Sequence, residues 1–188
     1  MKKLILASAS PRRKQLLTQI GLKFEVRKSN YNETPEKDLT PAQLALFYSQ
    51  NKAKDVASKA SHGIVIGADT LVVFENQAIG KPKSKDDAIR ILSLLSGKMH
   101  EIVTGYTLID TKTKKTISRT VTTKVWFRKL SKQEIVDYVA TGEPFDKAGA
   151  YGIQEKGALF VEKIDGDYFN VVGLPIAALV TDLKKMIK

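Results

Sequence analysis

GIVIGADTLVVF, residues 63–74, is the stretch that decides the fold. The run is rich in β-branched residues and almost continuously apolar, which is typical of a buried strand and not of a surface helix. It carries one acid, Asp69, near its middle. A carboxylate in such a strand is expensive to bury unless it binds a metal, a cation or a reacting group, although neighbouring N–H groups or a lysine could also satisfy it.

The residues before this strand predict a strand, a helix, a second short strand and a second helix. LILASASPRRKQLL, residues 4–17, is an apolar run that leads into a helix, in which Ser10 fits the N-cap and Pro11 the first helical position. A short strand follows at 22–28. Residues 40–59 begin with TPAQ, whose Thr, Pro and Gln have the spacing of a capping box, and they predict a helix.

The residues after the buried strand predict further helices and strands. Apolar periodicity and capping signals indicate a helix over 84–97, an antiparallel hairpin of strands at 102–110 and 116–127, and a helix over 131–142. Strands and helices therefore mix without strict alternation. This order predicts an α/β fold with a mixed sheet.

The last part of the chain predicts a loop, a hairpin and a closing helix. DKAGAYGIQEKG, residues 146–157, is too broken by glycine and alanine for a regular element and indicates a loop that lines a site. ALFVEKI (158–164) and YFNVV (168–172) flank an Asp-Gly pair, which predicts a β-hairpin. A helix is expected from Leu174 onward.

The amino-acid composition limits the classes of protein to which the chain can belong. The chain has 188 residues, 43% of them hydrophobic and none of them cysteine, so we expect one globular domain over residues 1–188, without disulfides or thiolate metal sites. The apolar run that follows MKK is too short for a secretion signal, and no stretch is long and apolar enough to predict a membrane span. We therefore expect a cytoplasmic protein without a membrane partner.

The charge balance favours anionic partners. Lysine and arginine number 31 against 20 acidic residues, a net charge of +11, which suits nucleic acid or nucleotide phosphates. The densest clusters, KTKK at 112–115 and DLKKMIK at the carboxyl end, fall in an expected turn and on an amphipathic helix. A solvated surface explains them equally, so charge alone does not choose between these partners.

Three cations stand in the first turn of the first predicted helix: Arg12, Arg13 and Lys14. They oppose the helix dipole, which already places about half a positive charge at that end. A bound phosphate would absorb the repulsion and would also accept hydrogen bonds from the free N–H groups of the helix. The alternative is that both arginines point outward and pair with surface carboxylates.

Two acids and two lysines also suit a ligand that carries phosphate groups. Asp69 and Glu33, the latter in the polar loop SNYNETPEKDL (29–39), offer with phosphate oxygens the hard ligand set for Mg²⁺ or Mn²⁺. Lys52 shares a helix face with expected packing residues, although its stem could simply snorkel from that face. Lys81 precedes a proline in IGKPK. Lysines and arginines together would neutralise a triphosphate and stabilise a pyrophosphate leaving group.

Several enzyme classes are excluded by motif. The sequence contains no G-x-x-x-x-G-K-[ST], no G-x-G-x-x-G and no H-E-x-x-H. The two histidines, His62 and His100, stand at polar segment ends without the spacing of metal ligands. The chain is therefore neither a Walker-type NTPase nor a zinc hydrolase of the H-E-x-x-H class.

Four motifs resemble the Maf family of nucleotide pyrophosphatases: LASASPRR at 6–13, IGADTLV at 66–72, GKP at 80–82 and DKAGAYGIQ at 146–154. The resemblance runs from about residue 4 to about residue 180. It implies a fold similar to that of inosine triphosphate pyrophosphatases, an elongated mixed sheet flanked by helices, with two lobes and a central cleft. The family is often dimeric, so the resemblance also allows a homodimer.

The motifs look like those of the dTTP/UTP pyrophosphatase branch, in which Arg12, Thr70 and Gln154 would mark specificity. A physical reason supports Gln154, because a primary amide presents a donor and an acceptor that match N3–H and O4 of uracil or thymine. A flipped amide could still accept cytosine. Base-modified pyrimidine triphosphates are further candidate substrates, in an enzyme that would clean nucleotide pools.

The resemblance also implies the roles of the site residues. Asp69 would accept a proton from the attacking water, and Glu33 would help Asp69 to hold Mg²⁺ or Mn²⁺, with Co²⁺ a further candidate. Attack on the α-phosphorus would release a nucleoside monophosphate and pyrophosphate, with Lys52 and Lys81 as catalytic cations. The phosphates would be bound by these lysines and by Ser8, Ser10, Arg12 and Arg13.

A second function stays open at this point. The family's older name, septum formation inhibitor, implies a regulator that binds nucleic acid or a cell-division partner. Such a protein would need its cations on one outer face, whereas an enzyme needs them turned inward around Asp69 and Glu33. Of the two, the sequence favours the nucleotide enzyme and makes nucleic acid the weaker partner.

Overall fold

The computed structural model describes residues 2–34 and 38–187. The centre of the polar loop predicted at 29–39 and both chain ends lie outside the described residues. The strands are β1 (Leu4–Leu6), β2 (Phe24–Val26), β3 (Ile64–Phe74), β4 (Gln77–Ile79), β5 (Met99–Asp110), β6 (Thr116–Phe127) and β7 (Val161–Asp165). The α-helices are α1 (Pro11–Gln19), α2 (Pro41–Ala57), α3 (Lys85–Leu95), α4 (Lys132–Ala140), α5 (Tyr168–Val172) and α6 (Ile176–Ile187), and short 3₁₀ turns occupy Glu143–Asp146, Ala148–Ala150 and Lys156–Phe160.

The described strands form one sheet in the order β2-β1-β3-β5-β6-β7, with β4 paired to β3. β1 runs parallel to both β2 and β3, whereas the β3–β4 and β6–β7 pairs are antiparallel. The sheet is therefore mixed, and helices accompany it. The predicted α/β class with a mixed sheet is confirmed.

The chain divides into two compact units. The first contains Met1–Thr70, Thr104–Val121 and Gly173–Lys188, and the second contains Leu71–Val103 and Thr122–Val172. They correspond to the two lobes that the family resemblance implies, while the cleft between them stays a prediction.

In the first unit, helix α2 packs very closely on the sheet. A Cβ atom built on Gly67 of β3 would lie 2.8 Å from Ala53 Cβ and would overlap the carbonyl oxygen of Ser49. Gly105 of β5 meets the backbone of Ala45 in the same way. These two glycines let the helix backbone approach the strands, and the contact fixes which residues of α2 face β3.

The second unit has an aromatic core. The ring centroids of Phe127 and Tyr151 lie 4.6 Å apart, and those of Tyr138 and Phe160 lie 4.8 Å apart, both pairs edge to face. The apolar stripe of α3 packs in the same core, with Leu92 and its neighbours on that stripe fully or almost fully buried. The helical periodicity predicted for this segment is confirmed.

Most predicted element ends are confirmed by their caps. Ser10 accepts from the N–H of Arg13 as N-cap of α1, and the capping boxes that begin with Thr40 and Ser131 are complete. The turn between β5 and β6 closes where it was expected, with Asp110 N–H donating to Lys115 O.

The hairpin predicted from ALFVEKI and YFNVV is wrong. β7 pairs with β6, and Tyr168–Val172 forms a short helix. The Asp167 carboxylate accepts from the N–H groups of Phe169 and Asn170, which begins a helical turn. The buried Asn170 amide then donates to Ile102 O and Thr123 Oγ1, tertiary contacts that local turn chemistry does not reveal.

Candidate active site

Asp69 lies inside the first unit on β3, where it is 6% exposed. Two residues earlier, Gly67 contacts the turn of α2 between Ser49 and Ala53, and this close approach places that turn beside the strand that carries the aspartate. Lys52, on that turn of α2, is one helical turn from the buried Tyr48 and Val56, so its stem leaves a packed face.

Lys52 links the two predicted acids. Its ammonium nitrogen lies 2.6 Å from Asp69 Oδ1 and 2.6 Å from Glu33 Oε1. The Lys52 side chain is 14% exposed and that of Glu33 49% exposed. The cation therefore faces inward and does not snorkel to solvent. One of the alternatives for Asp69, a buried acid satisfied by a lysine, is true of its Oδ1 atom.

Helix α2 also holds the loop that carries Glu33. Tyr48 donates its hydroxyl hydrogen to Thr34 O at 2.9 Å, and the Asp55 carboxylate accepts from Ser29 Oγ and Asn30 N–H at 2.9 and 2.7 Å. These contacts anchor the loop on both sides of Glu33. The position of this exposed acid beside Lys52 is thus built by the fold.

The second carboxylate oxygen of Asp69 is different from the first. Oδ2 is buried, and no hydrogen-bond partner for it occurs among the described residues. Burial raises the pKa of Asp69 above its ordinary range, against the opposing charges of Lys52 and Arg13. A buried, unpartnered carboxylate oxygen with a raised pKa is suited to accept a proton or to bind a cation.

Arg13 points inward from α1 and is 9% exposed. Its Nε donates to Gly173 O at 2.9 Å, Nη1 to Ser8 Oγ at 3.1 Å and Nη2 to Thr70 Oγ1 at 3.0 Å. The alternative of an outward arginine is wrong for this residue. These contacts take up three of the five guanidinium N–H groups. Its first role is therefore to join the β1–α1 connection to β3, and phosphate binding through the remaining hydrogens stays a prediction.

Burial lowers the pKa of Arg13, an effect that the nearby Asp69 opposes. The half-buried Arg12 adds a like charge beside it. Ser8, which is almost buried, accepts from Ser10 N–H at 3.2 Å, and this contact shapes the turn that opens α1. The LASASPRR and GADT motifs thus meet in the first unit, through Arg13 and Thr70.

A divalent cation fits this arrangement in donor chemistry. Asp69 Oδ2 is an open buried acceptor, and Glu33 supplies a second carboxylate that is half-exposed. No cluster of three or more potential metal-binding side chains occurs within residues 2–34 and 38–187. Oxygens from a phosphate or water would therefore have to complete the ligand shell.

The remaining predicted residues lie in the second unit. Lys81 is exposed in the connection between β4 and α3, and Gln154 is exposed in the segment of 3₁₀ turns that follows α4. Gly149 N–H donates to Gly80 O at 3.1 Å. The GKP and AGAYGIQ motifs are therefore hydrogen-bonded neighbours within this unit.

Three site residues escaped prediction. Gly173 O accepts from Arg13 and from Thr70 Oγ1, and the buried Thr104 shares a 2.9 Å hydrogen bond with Thr70. Gly67 sets the approach of α2. The one available signal was the glycine two residues before the acid in IGADT, because a glycine in a buried strand often marks a close backbone approach.

The fold and site together define an α/β protein with a buried carboxylate beside inward-facing cations, which suits hydrolysis of phosphate anhydrides. A family model described as "Maf-like protein" matches residues 3–186. The chain belongs to the Maf family, as its four motifs predicted.

Relatives and one solved structure give the comparison more detail. A protein of Methanosarcina barkeri (strain Fusaro) is 51% identical over 186 residues, 98% of this chain and 94% of the relative, and one of Alkaliphilus oremlandii is 53% identical over 180 residues, 95% and 93%. Both are named dTTP/UTP pyrophosphatase. The crystal structure of a nucleoside-triphosphatase, also called dITP/XTP pyrophosphatase, from Mycobacterium abscessus aligns with a TM-score of 0.41 at 13% identity, covering 68% of this chain and 75% of that one. A likeness at that level supports no functional inference.

Within the described residues, no helix combines the length and apolar character needed to cross a membrane.

Proposed function

We propose that this chain hydrolyses dTTP and UTP to the nucleoside monophosphate and pyrophosphate. The names of its relatives, at about half identity over nearly their whole length, support the substrate class. The observation that carries the chemistry is the buried Asp69, with Oδ1 held by Lys52 and Oδ2 open. A base with one oxygen fixed and the other unpartnered is oriented for a single proton transfer.

The reaction is a displacement at the α-phosphorus. A water oxygen forms the new bond to this phosphorus, and the bond from the phosphorus to the oxygen that bridges the α- and β-phosphates breaks. Asp69 takes the proton that the water loses. Pyrophosphate leaves with the electron pair of the broken bond.

Cations supply the charge stabilisation in this proposal. Arg12, the remaining N–H groups of Arg13 and the N-terminus of α1 would bind phosphate oxygens, with Ser8 and Ser10 shaping that turn. Lys52 and Lys81 would stabilise the pyrophosphate that leaves.

Asp69 and Glu33 would hold a divalent cation, with Mg²⁺, Mn²⁺ and Co²⁺ as candidates. Such an ion neutralises phosphate charge and so makes the α-phosphorus easier to attack. Lys52 already pairs with one oxygen of each acid, so a divalent ion would share these carboxylates with its ammonium group.

A regulator that acts by binding nucleic acid is the less supported function. Both curated relatives described above carry an enzyme name. Arg13 and Lys52 are turned into the protein and not onto an outer face. Cations in these positions suit a small enclosed anion better than a duplex.

The test of the proposed function is a substrate panel. Purified protein is incubated with dTTP, UTP, dCTP, dATP and dGTP, each with Mg²⁺, Mn²⁺ or Co²⁺, and pyrophosphate release is measured. We expect dTTP and UTP to exceed the other nucleotides in kcat/KM by about tenfold or more. Release of orthophosphate in place of pyrophosphate, or equal rates for all bases, would contradict the proposal.

A further inference from the structure

Lys147 is a buried lysine that the proposed chemistry does not use. It is 6% exposed, in the segment that follows α4, and lysine is seldom buried to this extent unless it is paired. Its ammonium donates to Glu143 O and Asp146 Oδ1, each at 2.8 Å, and lies 3.1 Å from Glu155 Oε2. One cation thus joins the beginning of this segment to Glu155, the residue next to Gln154.

The stem of Lys147 fills the space inside the segment. A Cβ atom on Gly152 would lie 2.6 Å from Lys147 Cε and 2.9 Å from its Cδ. A Cβ atom on Gly157 would lie 2.7 Å from Gly152 O. The segment therefore packs against the lysine stem at Gly152, and Gly157 in turn packs against Gly152, two close contacts that a side chain at either glycine would prevent.

A second set of contacts closes the same segment. The Tyr138 hydroxyl donates to Glu143 Oε1 at 2.7 Å and accepts from Gly152 N–H at 3.3 Å. The Glu143 carboxylate also accepts from the N–H groups of Lys156 and Gly157, both at 3.2 Å. Gln154 lies between these two sets of contacts, on backbone that is not part of a regular helix or strand.

We propose that Lys147 is a positioning residue for base discrimination: its contacts with the backbone and acids of residues 143–155 hold Gln154 where its amide distinguishes uracil and thymine from cytosine. The inference rests on the proposed function, since it takes Gln154 as the residue that meets the base. Hydrogen-bond discrimination requires a site held to within about 0.5 Å. On a segment without a regular hydrogen-bond ladder, this precision must come from side-chain contacts such as those of Lys147.

The test compares kcat/KM for dTTP and dCTP in wild type and Lys147→Met. We expect the dTTP preference to fall by about tenfold, mainly through a higher KM for dTTP, because a displaced amide loses its matched hydrogen bonds. A merely structural role would lower the active fraction equally for both nucleotides and leave their ratio unchanged. Lys156→Met, a lysine that is exposed in the same segment, is the matched control and should keep the wild-type ratio.

A double-mutant cycle makes the test specific. Gln154→Ala alone should lose the preference for dTTP over dCTP. Adding Lys147→Met to it should change the ratio of the two kcat/KM values by less than about twofold, because both substitutions remove the same interaction with the base. If Lys147→Met does not fold, Glu155→Gln removes one of its partners at an exposed position and should lower the ratio in the same direction.

The outcomes separate the two proposals. A wild type that does not hydrolyse dTTP contradicts the proposed function. A wild type that prefers dTTP, together with an unchanged ratio in a folded Lys147→Met or Glu155→Gln variant, overturns the positioning role alone. The positioning role is also overturned if the Gln154→Ala variant keeps the preference for dTTP over dCTP. It is overturned as well if the losses of preference in the two single variants add in the double variant.

Discussion

The Lys52 ammonium lies 2.6 Å from Asp69 Oδ1, and the same nitrogen lies 2.6 Å from Glu33 Oε1. One internal cation therefore neutralises part of the charge of the two acids that we propose as metal ligands. A divalent ion would need the same carboxylates and must compete with the lysine for them. A nucleotide bound nearby would offer the ammonium new anionic partners, so metal binding should depend on nucleotide.

The first prediction concerns this competition. Lys52→Met should bind Mn²⁺ without nucleotide at least about tenfold more tightly than wild type, because the acids lose their internal cation. Titration of Mn²⁺ followed by electron paramagnetic resonance measures this affinity directly. Hydrolysis of dTTP should nevertheless fall, since the proposed reaction uses the ammonium.

Lys54→Met is the matched control for that experiment. It removes the same charge from an exposed position on the same helix and should leave Mn²⁺ affinity near that of wild type. Equal affinity in the Lys52 and Lys54 variants would show that the lysine does not compete with the metal.

The second prediction concerns Arg13 as an internal link. Lysine cannot reproduce three directed N–H bonds from one planar group, so Arg13→Lys should lower the free energy of unfolding by about 3 kcal/mol. Urea denaturation measures the change. Lys14→Met, an exposed cation on the same helix turn, should shift it by less than about 0.5 kcal/mol. Similar values for the two variants would contradict the linking role.

The third prediction concerns the buried His100, whose Nε2 lies 2.8 Å from the Tyr151 hydroxyl oxygen. Burial lowers the pKa of His100 from 6.5 to about 4. The unfolded chain then binds more protons than the folded one between these values, so stability is full above pH 6.5 and is lost as the pH falls toward 4. The loss attributable to His100 should be about 2 kcal/mol near pH 5.

His100→Gln can keep a hydrogen bond to Tyr151 without titrating. Urea denaturation of this variant should show a weaker dependence of stability on pH than wild type over that interval. The prediction fails if the two proteins lose the same stability between neutral and mildly acidic pH.

The fourth prediction concerns the pH dependence of hydrolysis. The acid limb of kcat/KM reports a group of the free enzyme, and activity should fall as Asp69 becomes protonated. The pKa of an unperturbed aspartate is about 3.9. Because burial raises the pKa of Asp69, the acid limb should lie at a higher pH than that value. In Lys52→Met the acid limb should move to still higher pH, since the lysine favours the ionised form of the Asp69 carboxylate. A downward shift would contradict the assignment of the limb to Asp69.

Local signals predicted the elements that carry the site. Ser10 and Pro11 mark the start of α1, and the apolar run around Asp69 marks β3, because caps and hydrophobic runs depend on near neighbours in sequence. The inward direction of Arg13 could not be predicted in this way. One of its acceptors, Gly173 O, lies 160 residues away along the chain.

The wrong hairpin prediction has the same cause: local sequence signals do not reveal contacts between residues that are distant along the chain. An Asp-Gly pair favours a turn between two strands, but Asp167 caps a helical turn and Asn170 is held by Ile102 and Thr123. The pairing of Lys52 with Asp69 was likewise only half predictable. The helix face of Lys52 followed from periodicity, whereas its partner depended on the close contact of α2 at Gly67.

The central claim is that the Asp69 carboxylate accepts the proton of the attacking water, and Asp69→Asn tests it most directly. Asparagine keeps the size of the side chain and removes its basicity. Pyrophosphate release from dTTP should fall by at least about a thousandfold, while dTTP binding measured by calorimetry stays within about threefold of wild type. Turnover near the wild-type rate in a folded Asp69→Asn protein would contradict the account.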